Sequence, residues 1–213
     1  MPVGDYTCLE TVEFAVDMER WQNKIAVVTG ASAGIGAACC KDLVEHGMIV
    51  VGLARRLDVM QNTLKSLIPK SKHSRFHCLK CDVGNEKDIV DAFKWIQSHL
   101  GEVDVLINNA GCLRSTDIIS PDNAQDLSLV LNTNVLGVAL CTREAFQSMA
   151  ERKVSGHIII INSVVGHSVP VMEGVSMGMY APSKHALTAM TEVLRQELMY
   201  KKANVKITVS LSN

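Results

Sequence analysis

Short apolar runs alternate along the chain with longer stretches in which apolar residues recur every three or four positions. The first pattern suits half-buried or buried strands and the second suits amphipathic helices. Strands are expected at Ile25–Thr29, Ile49–Leu53, Arg75–Cys81, Val105–Asn108, His157–Asn162 and Val205–Leu211. Helices are expected at Gly34–His46, Asp58–Leu67, Glu86–Leu100, near Ala124–Leu131, near Val135–Arg152 and at Met179–Lys201, with a polar loop around Ser115–Asn123. The run Ile158–Ile161 is apolar throughout, the pattern of a parallel strand covered on both faces. Strand and helix alternate six times, which implies an α/β fold: a doubly wound parallel sheet with right-handed crossovers. Its expected strand order is 3-2-1-4-5-6, with a ligand crevice at the carboxyl ends of the strands.

No repeat, low-complexity segment or second domain is visible. Residues 1–20 read as an N-terminal extension, with Met18 an alternative start, and residues 21–213 as a single domain. The chain's 213 residues are enough for one substantial core.

Composition narrows the field by exclusion. Apolar residues make up 47% and charged residues 20%, and the net charge is −1, so nothing favours a nucleic acid or an anionic membrane surface as partner. No unbroken apolar run is long enough for a bilayer. The segment before Arg20 lacks Lys and Arg and carries Asp5, Glu10, Glu13 and Asp17, unlike a secretory or transit peptide. A soluble cytoplasmic protein is expected. The seven cysteines are odd in number and scattered, which suits a reducing compartment. Cys78 and Cys81 form a CxxC on an expected strand, where residues three apart face opposite sides, so they read as packed thiols and not as a metal site.

The chemistry begins after the first strand. Thr29-Gly30-Ala31-Ser32-Ala33-Gly34-Ile35-Gly36 leads from strand to helix with GxxxGxG spacing. Alone it fits either an ordinary connection or a phosphate site. Following the first strand of a βαβ unit, it favours a dinucleotide pyrophosphate over the helix N-terminus. The second strand ends in Leu53-Ala54-Arg55-Arg56. A site for NAD usually carries an acid there to bond the ribose 2′-hydroxyl. Two guanidiniums in its place favour the 2′-phosphate of NADP, although the pair could also merely solvate the next helix. Asp58 is expected to cap that helix.

Tyr180-Ala181-Pro182-Ser183-Lys184 opens the last helix, with Tyr180 and Lys184 one turn apart on a shared face. A phenol of ordinary pKa about 10 becomes a usable acid/base beside an ammonium. Such a pair also occurs by chance on surfaces. Ser163 ends the fifth strand and could hold a substrate oxygen or cap the next turn. Asn108-Asn109-Ala110-Gly111 ends the fourth strand and Asn134 opens the long helix after it, where amides could fix backbone or water, or serve turn chemistry. The lone His167 reads as structural or solvent-facing.

Thr29–Gly36, Asp82, Asn108–Gly111, Asn134, Ser163, Tyr180 and Lys184 stand in order at family-like spacing, and from about Trp21 onward the chain resembles the short-chain dehydrogenase/reductase family. The resemblance implies a Rossmann fold and an NADP-dependent oxidoreductase that moves a hydride between nicotinamide and a small alcohol or carbonyl compound. It implies that Tyr180 is the acid/base, that Lys184 bonds the nicotinamide ribose and tunes Tyr180, that Ser163 orients substrate, and that Asn134 holds a relay water. It places cofactor on Gly30, Ser32, Gly34, Ile35, Gly36, Arg55, Arg56, Asp82, Val83, Asn109, Tyr180 and Lys184. A homodimer through the long helices is also implied. The stretches Met18–Trp21, Val51–Arg56, Gly166-His167 and Arg195–Leu198 are similar to an insect subgroup that includes farnesol and antennal dehydrogenases. The family continues past the sixth strand into a substrate-covering loop and a seventh strand, whereas this sequence stops at Asn213. A C-terminally incomplete domain with an open edge strand is therefore expected, and with it an alternative function: a non-catalytic dinucleotide-binding or inactive truncated form.

Overall fold

Every expected strand forms, and all six join one parallel sheet. The computed structural model describes residues 18–152, 155–171 and 174–212. Within them the strands are β1 (Ile25–Thr29), β2 (Ile49–Ala54), β3 (Phe76–Lys80), β4 (Val105–Asn108), β5 (Gly156–Ser163) and β6 (Val205–Ser212). The helices are α1 (Gly34–Glu45), α2 (Leu57–Leu67), α3 (Glu86–His99), α4 (Ala124–Leu131), α5 (Gly137–Arg152) and α6 (Tyr180–Tyr200). The sheet order is β3-β2-β1-β4-β5-β6, with every neighbouring pair parallel, as the alternation of elements predicts. The winding reverses between β1 and β4, and that reversal opens a crevice at their carboxyl ends.

Alternation along the strands divides the core into two layers. Val27, Leu53, Leu106 and Ile158 pack with Ile89, Phe93 and Ala145 beneath α3 and α5. Val28, Val50 and Ile107 pack with Cys40, Val44, Met60 and Leu64 beneath α1 and α2. The CxxC separates in the same way. Cys78 is half-buried against the α1/α2 layer and Cys81 is buried in the other, and burial pushes their thiols up to about 11 and about 12. Among the described residues no group of His, Cys, Asp or Glu is placed to hold a metal. Cys8 and residues 1–17 of the expected extension lie outside the described residues. Glu19–Trp21 form a 3-10 turn, and Trp21 stacks on His157 at 6.4 Å under the Arg20 guanidinium, 4.7 Å from the ring.

Three expectations need correction. β5 is not covered on both faces: Ile158 and Ile160 are buried, but Ile159 and Ile161 are only half-buried, because α1 and α2 cover β1, β2 and β3 and no described helix covers β5 on their side. β6 has no fully buried residue, and Lys206, Ser210 and Leu211 are exposed. Asp58 does not cap α2. Arg56 holds the N-cap position without a side-chain bond, and Asp58 sits in the first turn, where its charge still suits the helix dipole. Finally, the helix after the Ser115–Asn123 loop is continuous from α4 to α5 through a π-helical turn, Asn132–Leu136. Period-3.6 reading divided it in two because one extra residue in the turn shifts the apolar phase. By length and composition this run could cross a membrane. Asn132, Thr133 and Asn134 interrupt it, and α5 rests on α3, β4 and β5.

Candidate active site

The glycine turn is held from two directions. From below, the Gly30 N–H donates to the Leu53 carbonyl at 2.8 Å, tying the turn to β2. From the side, Asn109 at the end of β4 donates through its amide to the Thr29 carbonyl at 2.9 Å. The buried Thr29 hydroxyl accepts the N–H groups of Asn109 and Ala110 at 3.0 and 2.9 Å. The packing leaves no space at two glycines. A Cβ on Gly30 would lie 2.9 Å from Ala110 Cα, and one on Gly36 would lie 2.5 Å from both the Gly30 carbonyl oxygen and the Asn109 amide nitrogen. Gly34 differs: its φ of +55° demands glycine, but a Cβ there would meet nothing within 4 Å. α1 has no side-chain cap, so its first N–H groups face that open space.

The space is a cleft of about 310 Å³ whose wall includes Gly30, Ser32, Ile35, Arg55, Arg56, Asp82, Val83 and Asn109. Eight of the sequence-predicted nucleotide residues thus meet at one place, Gly34 and Gly36 form the helix start beside it, and Tyr180 and Lys184 are not on this wall. Arg55 and Arg56 are exposed and make no ion pair with any described residue. The one acid on the wall is Asp82, whose carboxylate accepts the Gly84 N–H at 2.9 Å. An uncapped helix end, open space over Gly34 and two unpaired guanidiniums fit a phosphorylated dinucleotide. The helix start and the two adjacent arginines are separated in the chain by the rest of α1 and by β2, and they converge only through the strand order.

Tyr180 and Lys184 open α6 beside the end of β5. The Lys184 ammonium is buried, donates to the Ile161 carbonyl at 3.0 Å and lies 5.7 Å from the centre of the Tyr180 ring. Burial lowers its pKa. Ser163 ends β5, buried, and its hydroxyl accepts the Val165 N–H at 3.4 Å. Asn134, in the π-helical turn, is also buried, and its amide is fully used. Its oxygen accepts the Cys112 N–H at 2.8 Å, and its nitrogen donates to the Cys112 carbonyl at 2.9 Å and to the Ser183 hydroxyl at 3.0 Å. Ser183 in turn donates to the Tyr180 carbonyl at 2.6 Å. His167 is exposed.

Sequence reasoning named Thr29 and Ser183 only as members of their motifs and missed the bonds they make, and it missed the Cys112 backbone altogether. Their part in the site consists of contacts with residues 22 to 81 positions away, and no local spacing announces those.

A doubly wound sheet with a glycine turn at its switch point and a Tyr-Lys pair across the crevice defines a nucleotide-dependent oxidoreductase fold. The comparisons agree. The profile of the short chain dehydrogenase family matches residues 24–211, and the chain belongs to that family. It is 52% identical over 191 residues to the farnesol dehydrogenase of Aedes aegypti, covering 90% of this chain and 77% of that enzyme. Among solved structures it resembles a short-chain dehydrogenase/reductase from Burkholderia phymatum in complex with NAD (TM-score 0.79, 27% identity, 90% of this chain and 66% of that one). It also resembles a metagenomic short-chain oxidoreductase in complex with NADP (TM-score 0.79, 26% identity, 90% and 83%).

Proposed function

We propose that this chain is an NADP-dependent oxidoreductase that interconverts an alcohol and its carbonyl compound, with an apolar primary alcohol of the farnesol type as substrate. The observation that carries the reading is the joint arrangement of the Tyr180–Lys184 pair with the Arg55/Arg56 cleft on the same edge of the sheet. Bound in the cleft, NADP supplies or accepts the hydride.

The remaining work falls to the chain's own residues. Gly30, Ser32, Gly34, Ile35, Gly36 and the α1 N-terminus hold the pyrophosphate, Arg55 and Arg56 the 2′-phosphate, and Asp82, Val83 and Asn109 the rest of the nucleotide face. Tyr180 gives its phenolic proton to the substrate oxygen in reduction and takes it back in oxidation. Lys184, a cation in a low-dielectric site, favours the phenolate that remains. Ser163 orients the substrate oxygen. Asn134 keeps the loop after β4 seated on α6, and because its amide is spent on Cys112 and Ser183, a relay water would rest on its backbone.

What supports an apolar substrate is the surface around this edge. Leu113, Ile118, Ile119, Val164, Val169 and Val171 on the loops after β4 and β5 are exposed, Ile119 by 95% and Val171 by 98%. The identity to the mosquito farnesol dehydrogenase supports the same choice.

We further propose that residues 21–213 work as one NADP-binding unit in the cytoplasm. We propose as well that two copies associate through α5 and α6, whose shared apolar groove of about 550 Å³ is lined by Phe146, Met190 and Leu194.

The test is Tyr180→Phe, assayed with farnesol and NADP. Turnover should fall about 10²–10⁴-fold, the contribution of a positioned acid/base, while cofactor binding persists. Activity within a few-fold of the parent would require a different acid.

A further inference from the structure

Between Ser163 and Lys184 runs a chain of hydrogen bonds that the chemistry above does not use. Asn162, the residue before Ser163, is completely buried. Its amide nitrogen donates to the Thr188 hydroxyl at 3.1 Å, and that hydroxyl donates to the Gly166 carbonyl at 3.1 Å. Thr188 lies one turn beyond Lys184 on α6, and Gly166 closes the 3-10 turn Val164–Gly166 that begins at Ser163. The three groups are pressed together. A Cβ on Gly166 would lie 2.8 Å from both the Asn162 amide nitrogen and the Lys184 carbonyl oxygen.

We infer that Asn162 and Thr188 are positioning residues that pin the Ser163 turn onto α6 and so set the Ser163 hydroxyl relative to Tyr180 and Lys184. The inference rests on the oxidoreductase reading above.

Four observations carry it. The donors run from amide to hydroxyl to carbonyl, and the Thr188 hydroxyl, which also lies 3.4 Å from the Lys184 carbonyl of its own helix, has its shorter bond to Gly166 across to the turn. The Asn162 side-chain oxygen is buried without a partner among the described residues. Such a group is costly in a core, and a merely structural position would not favour an amide there over an apolar residue. The backbone of the same short stretch has two further anchors, one on α6, where the Ile161 carbonyl takes the Lys184 ammonium, and one on β6, where the Asn162 carbonyl takes the Ser212 hydroxyl, each at 3.0 Å. The residues flanking Asn162 thus include one end of the Lys184 anchor and Ser163 itself. Finally, among the described residues the Ser163 hydroxyl makes a single hydrogen bond, at 3.4 Å from the Val165 N–H, so its direction depends on the turn that follows it.

The test uses two variants of the full chain. Thr188→Val keeps the side-chain shape and removes the hydroxyl, and Thr188→Ser keeps the hydroxyl. In Thr188→Val, kcat with NADP and farnesol should fall about tenfold or more, since small misplacements of reacting groups cost up to about a hundredfold. The NADP dissociation constant should stay unchanged. Thr188→Ser should keep most of the parent kcat. Amide hydrogen exchange over residues 162–167 supplies a readout independent of turnover: it should quicken in Thr188→Val and not in Thr188→Ser, with α1 unaffected in both. Unchanged exchange in Thr188→Val overturns the pin. Quickened exchange with parental kcat overturns the positioning role. A parent chain that binds NADP without turnover refutes the oxidoreductase reading instead, and the exchange contrast between the two variants then still supports the pin.

Discussion

Replacing Gly36 with alanine tests the nucleotide site at its most crowded point. The added Cβ would sit 2.5 Å from the Gly30 carbonyl oxygen and from the Asn109 amide nitrogen. Ordinary contact needs about 3.5 Å, so α1 must retreat by roughly 1 Å. Neither neighbour can give way. Gly30 is backbone, held by its N–H to Leu53, and the Asn109 amide is bonded to the Thr29 carbonyl. Overpacking of this kind costs about 1–3 kcal/mol. Alanine's helix preference offsets about 1 kcal/mol of this, so the net loss in stability should be no more than about 2 kcal/mol. The effect on binding should be larger, because the retreat moves the α1 N–H groups off the pyrophosphate. Losing one charge-assisted bond costs about 1.5–3 kcal/mol, which is about 10- to 150-fold in dissociation constant. The assay is a fluorescence titration with NADPH beside a urea unfolding curve. Gly47→Ala is the control: Gly47 has φ +86° at the far end of α1 and only Gln22 near a new Cβ, at 3.5 Å. It should lower stability by about 1–2 kcal/mol through left-handed strain and leave NADPH binding unchanged. Parental NADPH affinity in Gly36→Ala would refute the reasoning. So would an equal loss of affinity in Gly47→Ala, because binding would then follow global stability and not the seat of the phosphates.

Two further predictions concern charge. Arg55→Ala should weaken NADP binding by the loss of one phosphate contact, about 1.5–3 kcal/mol, and leave NAD binding nearly unchanged; equal losses for both cofactors in parallel titrations would remove Arg55 from the 2′-phosphate. Lys184→Met should make the chain more stable at neutral pH while abolishing turnover. Burial lowers the Lys184 pKa from 10.5, so between that lowered value and 10.5 the unfolded chain holds the extra proton and parental stability rises with pH. The advantage of Lys184→Met should therefore shrink as urea midpoints are followed from pH 7 towards 10.5, and a gap that does not change with pH would contradict the assigned burial cost.

Much of this molecule was legible in the sequence because its signals are local. Period-2 and period-3.6 patterns depend on neighbours a few residues away, so β1 to β6 and their parallel order could be read before any coordinates. The same holds for the glycine turn, whose glycines permit a tight bend whatever surrounds them, and for Tyr180 and Lys184, which one helical turn places on a shared face. The opposite facing of Cys78 and Cys81 was legible on the same basis, and the structure puts them in opposite layers.

Where a property depends on what packs from elsewhere, the sequence was silent or misleading. Ile159 and Ile161 carry the pattern of a strand covered on both faces, and only the position of the helices shows that one face is open. Asp58 looks like a cap, but where α2 begins is decided by the exit from β2. The role of Asn134 turned on Cys112 and Ser183, and that of Asn109 on Thr29, 80 positions away. Hydrogen bonds of that span exist only once the sheet order has brought distant strand ends together, so tertiary structure alone decides which polar side chains hold the site and which are left free for chemistry.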